Sequence, residues 1–316
     1  MDNGLLVIAG PTAVGKTSLS VKAAKAFGGE IISADSMQVY KKMDIGTAKI
    51  TADEMDGIKH YLIDIVEPDE PFNVYRFKEL ALKAIAEVRS NGHLPIIVGG
   101  TGFYIQSVLY DIDLTKASGD TTYRQELSEL ARTNGNGYLH DMLRDIDPDA
   151  AAAIHPNNVR KVIRALEFCH ETGTLISRHN ETERSRPSPY NFLYIVLYRD
   201  RAVLYSRIDA RVDSMIASGL EDEVRALLDM GCTRDMVSMQ GLGYKEMASY
   251  IYGECTLEEA ASRIKQSTRH FAKRQLTWSR REKETVWMNM DVSPEQELID
   301  DIRTMLIERG IIDNDI

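Results

Sequence analysis

Apolar positions in the first third of the chain fall in short unbroken runs separated by stretches of helical period. Leu5-Leu6-Val7-Ile8-Ala9 is followed by a helix pattern over residues 16–26 and then by Glu30-Ile31-Ile32-Ser33-Ala34. A second helix pattern, over residues 75–90, precedes Pro95-Ile96-Ile97-Val98, which ends at Gly99-Gly100. Continuous apolar runs of strand length, alternating with helices, predict an α/β fold whose parallel sheet is covered on both faces.

After about residue 113 the pattern changes. Residues 121–173 are almost wholly helical in period, with turns at Asn134-Gly135-Asn136-Gly137 and Asp147-Pro148, so an all-helical subdomain is expected to interrupt the sheet. Phe192-Leu193-Tyr194-Ile195-Val196-Leu197 returns to strand character, and the remainder reads as helical over 201–218, 220–230 and 257–283. The expected division is a core of residues 1–115 and 190–316 and a helical insertion of 116–189.

The 316 residues, 43% hydrophobic, are enough to bury a substantial core. A formal charge of -10 speaks, as an average, against a nucleic-acid partner. No apolar run approaches the roughly 18 residues of a membrane span, and the Met-Asp-Asn-Gly start lacks a signal-peptide pattern. Three scattered cysteines, Cys169, Cys232 and Cys255, supply neither a CxxC pair nor a zinc framework. A cytoplasmic protein, without membrane or zinc, is expected; monomer is the default.

Candidate chemistry begins at Gly10-Pro11-Thr12-Ala13-Val14-Gly15-Lys16-Thr17, which fits G-x-x-x-x-G-K-[ST] between a predicted strand and a predicted helix. Such a loop turns successive N–H groups toward one anion at a helix N-terminus. Lys16 would reach terminal phosphate oxygens and Thr17 would hold Mg²⁺. The loop does not say which phosphorylated molecule it holds: a kinase, an NTPase and an enzyme that expels diphosphate all need this cradle.

Ligands of α/β sheets bind outside the carboxyl ends of the strands, and two further ends carry polar groups. Ser33-Ala34-Asp35-Ser36-Met37-Gln38 offers a carboxylate that could take a proton or hold a metal-bound water. Val98-Gly99-Gly100-Thr101-Gly102 allows close backbone approach beside one hydroxyl.

Taken together, these segments resemble the tRNA dimethylallyltransferase family, also called tRNA isopentenyltransferases. The resemblance continues through Tyr40-Lys41-Lys42-Met43-Asp44-Ile45-Gly46-Thr47-Ala48-Lys49, His60-Tyr61-Leu62-Ile63-Asp64-Ile65, Ile154-His155-Pro156-Asn157-Asn158 and Arg164-Ala165-Leu166-Glu167. It extends to Gly241-Leu242-Gly243-Tyr244-Lys245-Glu246 and Ala272-Lys273-Arg274-Gln275-Leu276-Thr277-Trp278, and so spans the chain except its C-terminal tail. It implies a P-loop NTPase-like fold and transfer of a dimethylallyl group from its diphosphate to N6 of the tRNA adenosine 3′ to the anticodon.

The resemblance also assigns roles. Gly10, Pro11, Thr12, Ala13, Val14, Gly15, Lys16 and Thr17 would hold the diphosphate with Mg²⁺. Asp35 would be the general base, with Thr101 near the reacting groups and Arg211 near the diphosphate. The anticodon stem-loop would be met by Asp35, Ser36, Met37, Gln38 and Thr101, by Arg160, Lys161, Val162, Ile163 and Arg164, and more weakly by Arg124. The adenine must leave its stack to react, and the Gln38 amide can pair with a base edge. Remaining alternatives are a small-molecule P-loop kinase using the helical insertion as a lid, and a prenyltransferase acting on free adenine nucleotide.

Charge distribution tests the RNA expectation separately. Residues 261–283 carry eight basic side chains against Glu282 alone, whereas 291–316 carry eight acids against Arg303 and Arg309. On a helical projection Ile264, Phe271 and Trp278 form an apolar stripe, leaving Lys273, Arg274 and the other basic residues outward as a phosphate-attracting face. The acidic tail reads as a terminal amphipathic helix.

Overall fold

The computed structural model describes residues 3–114 and 122–314. Strands β1 (Gly4–Ala9), β2 (Gly29–Ala34), β3 (His60–Tyr61), β4 (Leu94–Gly99), β5 (Asn191–Tyr198) and β6 (Thr285–Asn289) form one parallel sheet in the order β3-β2-β4-β1-β5-β6. All six residues of β1 and of β2 are buried, as a sheet covered on both faces requires. The four long runs read as strands are β1, β2, β4 and β5. Two strands were not expected: the two-residue β3, and β6, which lies just past the helical stretch read over 257–283. Both lie at sheet edges, where a few residues pair with one neighbour and leave no periodic signature.

The helices of the first segment are α1 (Lys16–Phe27), α2 (Ala52–Met55), α3 (Val74–Ser90) and α4 (Gly102–Leu109). Next come α5 (Thr122–Asn134), α6 (Asn136–Ile146), α7 (Pro148–Ala153), α8 (Val159–Thr172) and α9 (Ile176–Ser185). The last segment supplies α10 (Arg201–Ala217), α11 (Leu220–Asp229), α12 (Tyr244–Ile251), α13 (Leu257–Ser279) and α14 (Glu295–Glu308). The chain divides into two compact units, Met1–Leu109 with Pro189–Ile316, and Tyr110–Ser188. The expected start of the insertion at 116, and Thr121, lie outside the described residues.

In the sheet unit, Leu6, Ile8, Ile96, Leu193 and Ile195 share a core with Ala24 and Phe27 of α1 and Leu298, Ile302 and Leu306 of α14. The acidic tail is thereby explained structurally: α14 buries one face on α1 and leaves Glu297, Asp300, Asp301 and Glu308 exposed. Glu295 accepts from Lys22 at 2.6 Å and from the Ser18 hydroxyl at 2.9 Å.

The helical unit has its own core, built from Leu127, Leu139, Leu143, Val162, Ile163 and Leu166. Pro148 opens α7, with the Asp147 side chain capping the Ala150 N–H at 3.0 Å, so the Asp147-Pro148 turn is a helix start. Among the described residues no helix is long and apolar enough to cross a membrane.

Candidate active site

Strand order decides what meets at the carboxyl edge. Ala34 of β2 and Ala9 of β1 both pair with Gly99 of β4. The turn after β4, bearing Thr101, therefore lies between the phosphate loop after β1 and the Asp35 segment after β2. Two strand spacings, roughly 10 Å, separate the outer two, a span suited to a diphosphate ester with an acceptor at its far end.

The loop from Gly10 to Thr17 curls around the start of α1. Gly15 caps the helix at φ 116°, in the left-handed region, and Ala13 also has positive φ. Two arginines hold carbonyls of the loop: Arg207 donates to Ala13 O at 2.9 Å and Arg199 to Val14 O at 2.8 Å. With these oxygens held, loop N–H groups other than those of Thr12 and Val14, which donate to Gln275 Oε1 and Pro11 O, can face an anion. Lys16 donates to Gly10 O at 2.9 Å and Pro11 O at 2.8 Å.

Burial lowers the Lys16 ammonium from 10.5 to about 8, partly offset by the carboxylate of Asp35 and reinforced by the charge of Arg211. Both residues thus lie within electrostatic reach of Lys16. Arg211 is itself pulled below its ordinary value by burial and by neighbouring Arg207.

Asp35 sits in a turn of its own making. Its Oδ1 accepts from the backbone N–H of Met37 at 2.8 Å and of Gln38 at 3.3 Å, which fixes the carboxylate relative to the strand end. Asp35, Ser36, Met37 and Gln38 are all half-buried, so each keeps an accessible side. Thr101 is likewise half-buried, and its N–H donates to Ala34 O at 3.3 Å, tying its turn to the end of β2.

The far end of α13 covers this edge. Gln275, buried, accepts from the Thr12 N–H at 2.9 Å and donates to Gly100 O at 3.1 Å, so one amide bridges the phosphate loop and the Thr101 turn. A Cβ on Gly100 would lie 2.0 Å from the Gln275 amide nitrogen, and one on Gly102 would lie 2.1 Å from the Trp278 ring. The two glycines and the Gln275-to-Trp278 segment are therefore complementary surfaces. Gln275, Arg199 and Arg207 were not singled out from sequence; Arg199, one residue beyond the β5 run, was the accessible clue.

The expected stripe on α13 needs correction. Ile264 is buried, but Phe271 and Trp278 are only partly so, and the packed face is Ala260, Ile264, Ala272, Gln275 and Ser279. Small and polar residues replace large apolar ones because the helix lies directly on glycine turns. The basic residues also divide. Lys265 pairs with Asp213 at 2.6 Å and Arg269 with Asp209 at 3.0 Å, both on α10, whereas Lys273, Arg274, Arg280, Arg281 and Lys283 are exposed. Glu282, the acid among them, is raised to about 7 by burial, so its charge is partly lost near neutrality.

In the helical unit, Arg160 and Lys161 are exposed and Arg164 half-buried along α8. Val162 and Ile163, expected in the tRNA-contacting run, are corrected: at 0% and 8% exposure they belong to that unit's core, as helical period dictates for the positions between basic residues. Arg124 is not an open cation either. It donates to both oxygens of buried Glu167, at 2.7 and 2.8 Å, so its charge is compensated within the unit.

A parallel α/β sheet with a glycine-rich G-x-x-x-x-G-K-[ST] loop after its first strand, and further polar strand ends beside it, defines a protein of P-loop-like α/β fold. Within that class, the IPP transferase family profile matches residues 38–282. The chain belongs to that family.

Relatives agree over the full length. The chain is 55% identical over 309 residues to the tRNA dimethylallyltransferase of Lachnoclostridium phytofermentans, covering 98% of this chain and 99% of that one. It is 50% identical over 312 residues to that of Acetivibrio thermocellus, with 98% and 99% covered. Among solved structures, the tRNA isopentenylpyrophosphate transferase of Bacillus halodurans superposes with TM-score 0.74 at 48% identity, covering 98% of each chain. A eukaryotic dimethylallyltransferase acting on tRNA superposes with TM-score 0.83 at 29% identity, covering 99% of this chain and 81% of its own.

Proposed function

We propose that the protein is a tRNA dimethylallyltransferase that joins the dimethylallyl group of dimethylallyl diphosphate to N6 of the adenosine 3′ to the anticodon, releasing diphosphate. The N6 lone pair forms a bond to C1 of the allyl group as the C1–O bond breaks. The electron pair of that bond leaves with diphosphate, and the N6 proton passes to the Asp35 carboxylate.

The observation that carries this reading is the order of strand ends: phosphate loop, Thr101 turn, then a backbone-anchored Asp35, in register along one sheet edge. Negative charge grows on the leaving diphosphate, where loop N–H groups, Lys16 and Arg211 stabilise it. An exocyclic adenine amine is a weak nucleophile, and Asp35 can both orient it and remove its proton. Thr101, between the two, can hydrogen-bond either partner.

The chemistry of the donor set suits Mg²⁺. This ion is held by few protein oxygens together with substrate phosphates, and Thr17 is exposed at the start of α1. No cluster of three His, Cys, Asp or Glu exists among the described residues to bind a metal alone. When bound, the ion would neutralise charge on the departing diphosphate.

For tRNA, the half-buried Ser36, Met37 and Gln38 next to Asp35 would meet the target base, and Lys273 and Arg274 on α13 would take backbone phosphates. Arg160, Lys161 and Arg164 on α8 offer a second basic row in the helical unit. On this reading the enzyme acts in the cytoplasm as a monomer. Incubation with Mg²⁺, labelled dimethylallyl diphosphate and either bulk tRNA or adenosine monophosphate tests the substrate. Label in tRNA is expected; label only in the mononucleotide overturns the reading.

A further inference from the structure

The segment from Asp44 to Lys49 is strongly patterned in sequence, and its first three backbone N–H groups meet a partner far along the chain. What holds it is Glu223, in the first turn of α11, about 180 residues away in sequence. Oε2 of Glu223 accepts the backbone N–H of Asp44 at 2.8 Å and of Ile45 at 2.7 Å. Oε1 accepts the N–H of Gly46 at 3.0 Å and the hydroxyl of fully buried Tyr244 at 2.6 Å. Three successive N–H groups closing on one carboxylate form an anion nest, here filled by the protein's own side chain. Gly46 is required for it: a Cβ there would lie 2.5 Å from the Tyr244 ring.

The nested turn presents its next two carbonyls to Gln38. Gln38 Nε2 donates to Thr47 O at 3.4 Å and Ala48 O at 3.3 Å, and Oε1 accepts from the Ser33 hydroxyl at 3.4 Å. The same residue donates its backbone N–H to Asp35. A continuous path of polar contacts thus runs from Glu223 through the 44–48 turn to the Gln38 amide and the Asp35 turn.

We infer that Glu223 is a positioning residue for adenosine recognition: by clamping the 44–46 backbone it fixes the carbonyls that orient the Gln38 amide toward the target base. This rests on the proposed function, in which Gln38 lies against the tRNA adenosine. The phosphate loop is held by other groups, Arg199, Arg207 and Gln275. The clamp should therefore govern tRNA and leave dimethylallyl diphosphate alone, a separation that a general loss of stability would not produce.

Steady-state kinetics on the full-length Glu223→Gln protein test this. Each Glu223 oxygen accepts two of the four donors, so the amide oxygen can keep two and the NH₂ faces the other two. KM for tRNA should rise by about tenfold while KM for dimethylallyl diphosphate stays within about twofold of the parent. In the Gln38→Ala background the same substitution should add almost nothing, because contacts acting through one another are not additive. Equal rises in both KM values, or independent multiplicative effects of the two substitutions, overturn the inference.

Tyr244→Phe removes one donor at constant shape and guards against misfolding of the first variant. It should raise KM for tRNA alone by about threefold, and an unchanged value counts against the clamp. The unaltered protein is assayed alongside: failure to prenylate tRNA would tell against the proposed function, whereas normal activity with unresponsive variants would tell against Glu223 alone.

Discussion

Asp35 is held by its own turn, with both backbone donors on Oδ1. Asn at this position keeps an oxygen for those donors and loses the ability to take a proton. Asp35→Asn should lower the single-turnover rate by roughly 10²-fold or more while tRNA binding stays largely intact. An unchanged rate would remove Asp35 from the base role.

Lys16 gives a pH dependence of definite sign. Its folded value, about 8, lies below the ordinary 10.5 because burial disfavours the charge. Below about pH 8 the ammonium is present and its burial cost is fully felt. Between about 8 and 10.5 the unfolded chain holds the proton more tightly, so this group's contribution to stability rises with pH. Affinity for the diphosphate runs the other way. It should fall as pH rises through about 8, with proton uptake on binding, both measurable by calorimetry in buffers of different ionisation enthalpy.

At the scale of elements, α13 does two things at its C-terminal end. Gln275 and Trp278 lie on Gly100 and Gly102, while Lys273 and Arg274 stay exposed. Replacing Lys273 and Arg274 with Ala should weaken tRNA binding and reduce the slope of log K against log salt by about 1.5–2. Binding unchanged across a salt series would show that this helix does not meet the RNA backbone. Gly102→Ala places a methyl group in the Trp278 ring and should lower activity by displacing α13, with little change in the salt slope.

The long elements and the phosphate loop were legible in the sequence because their signals are local: unbroken apolar runs, helical period, and glycines at fixed spacing. Asp35 and Thr101 were legible for the same reason, as polar residues just past strand ends. Gln275 was not, since its meaning lies in contacts to Thr12 and Gly100, 263 and 175 residues away. Periodicity placed Trp278 in an apolar stripe; only the packed structure shows it lying on a glycine. Val162 and Ile163 show the converse. A run matched as a continuous RNA-contacting segment is divided by helix geometry into basic outward and apolar inward positions.

For the whole molecule, the formal charge of -10 is a sum of unlike parts. The acidic tail is a structural helix that packs into the sheet unit's core, and one group of exposed basic residues, Lys273, Arg274, Arg280, Arg281 and Lys283, gathers at the end of α13. Stability and RNA binding should therefore respond to different changes. Ile302→Ala, at a fully buried position of α14, should cost about 2–5 kcal/mol in denaturant unfolding and leave the salt dependence of tRNA binding unaltered. A loss within the range of a surface substitution would contradict the packing role of α14.

A cradle of P-loop type that delivers a prenyl group to one tRNA base leaves a product whose mass locates the transfer. Reacting the protein with dimethylallyl diphosphate and tRNA, digesting the product with a base-specific nuclease and weighing the fragments reads this directly. One dimethylallyl increment is expected, on the adenosine 3′ to the anticodon, and none with Asp35→Asn under single-turnover timing. An increment elsewhere in the tRNA, or consumption of the diphosphate with unmodified RNA, would contradict it.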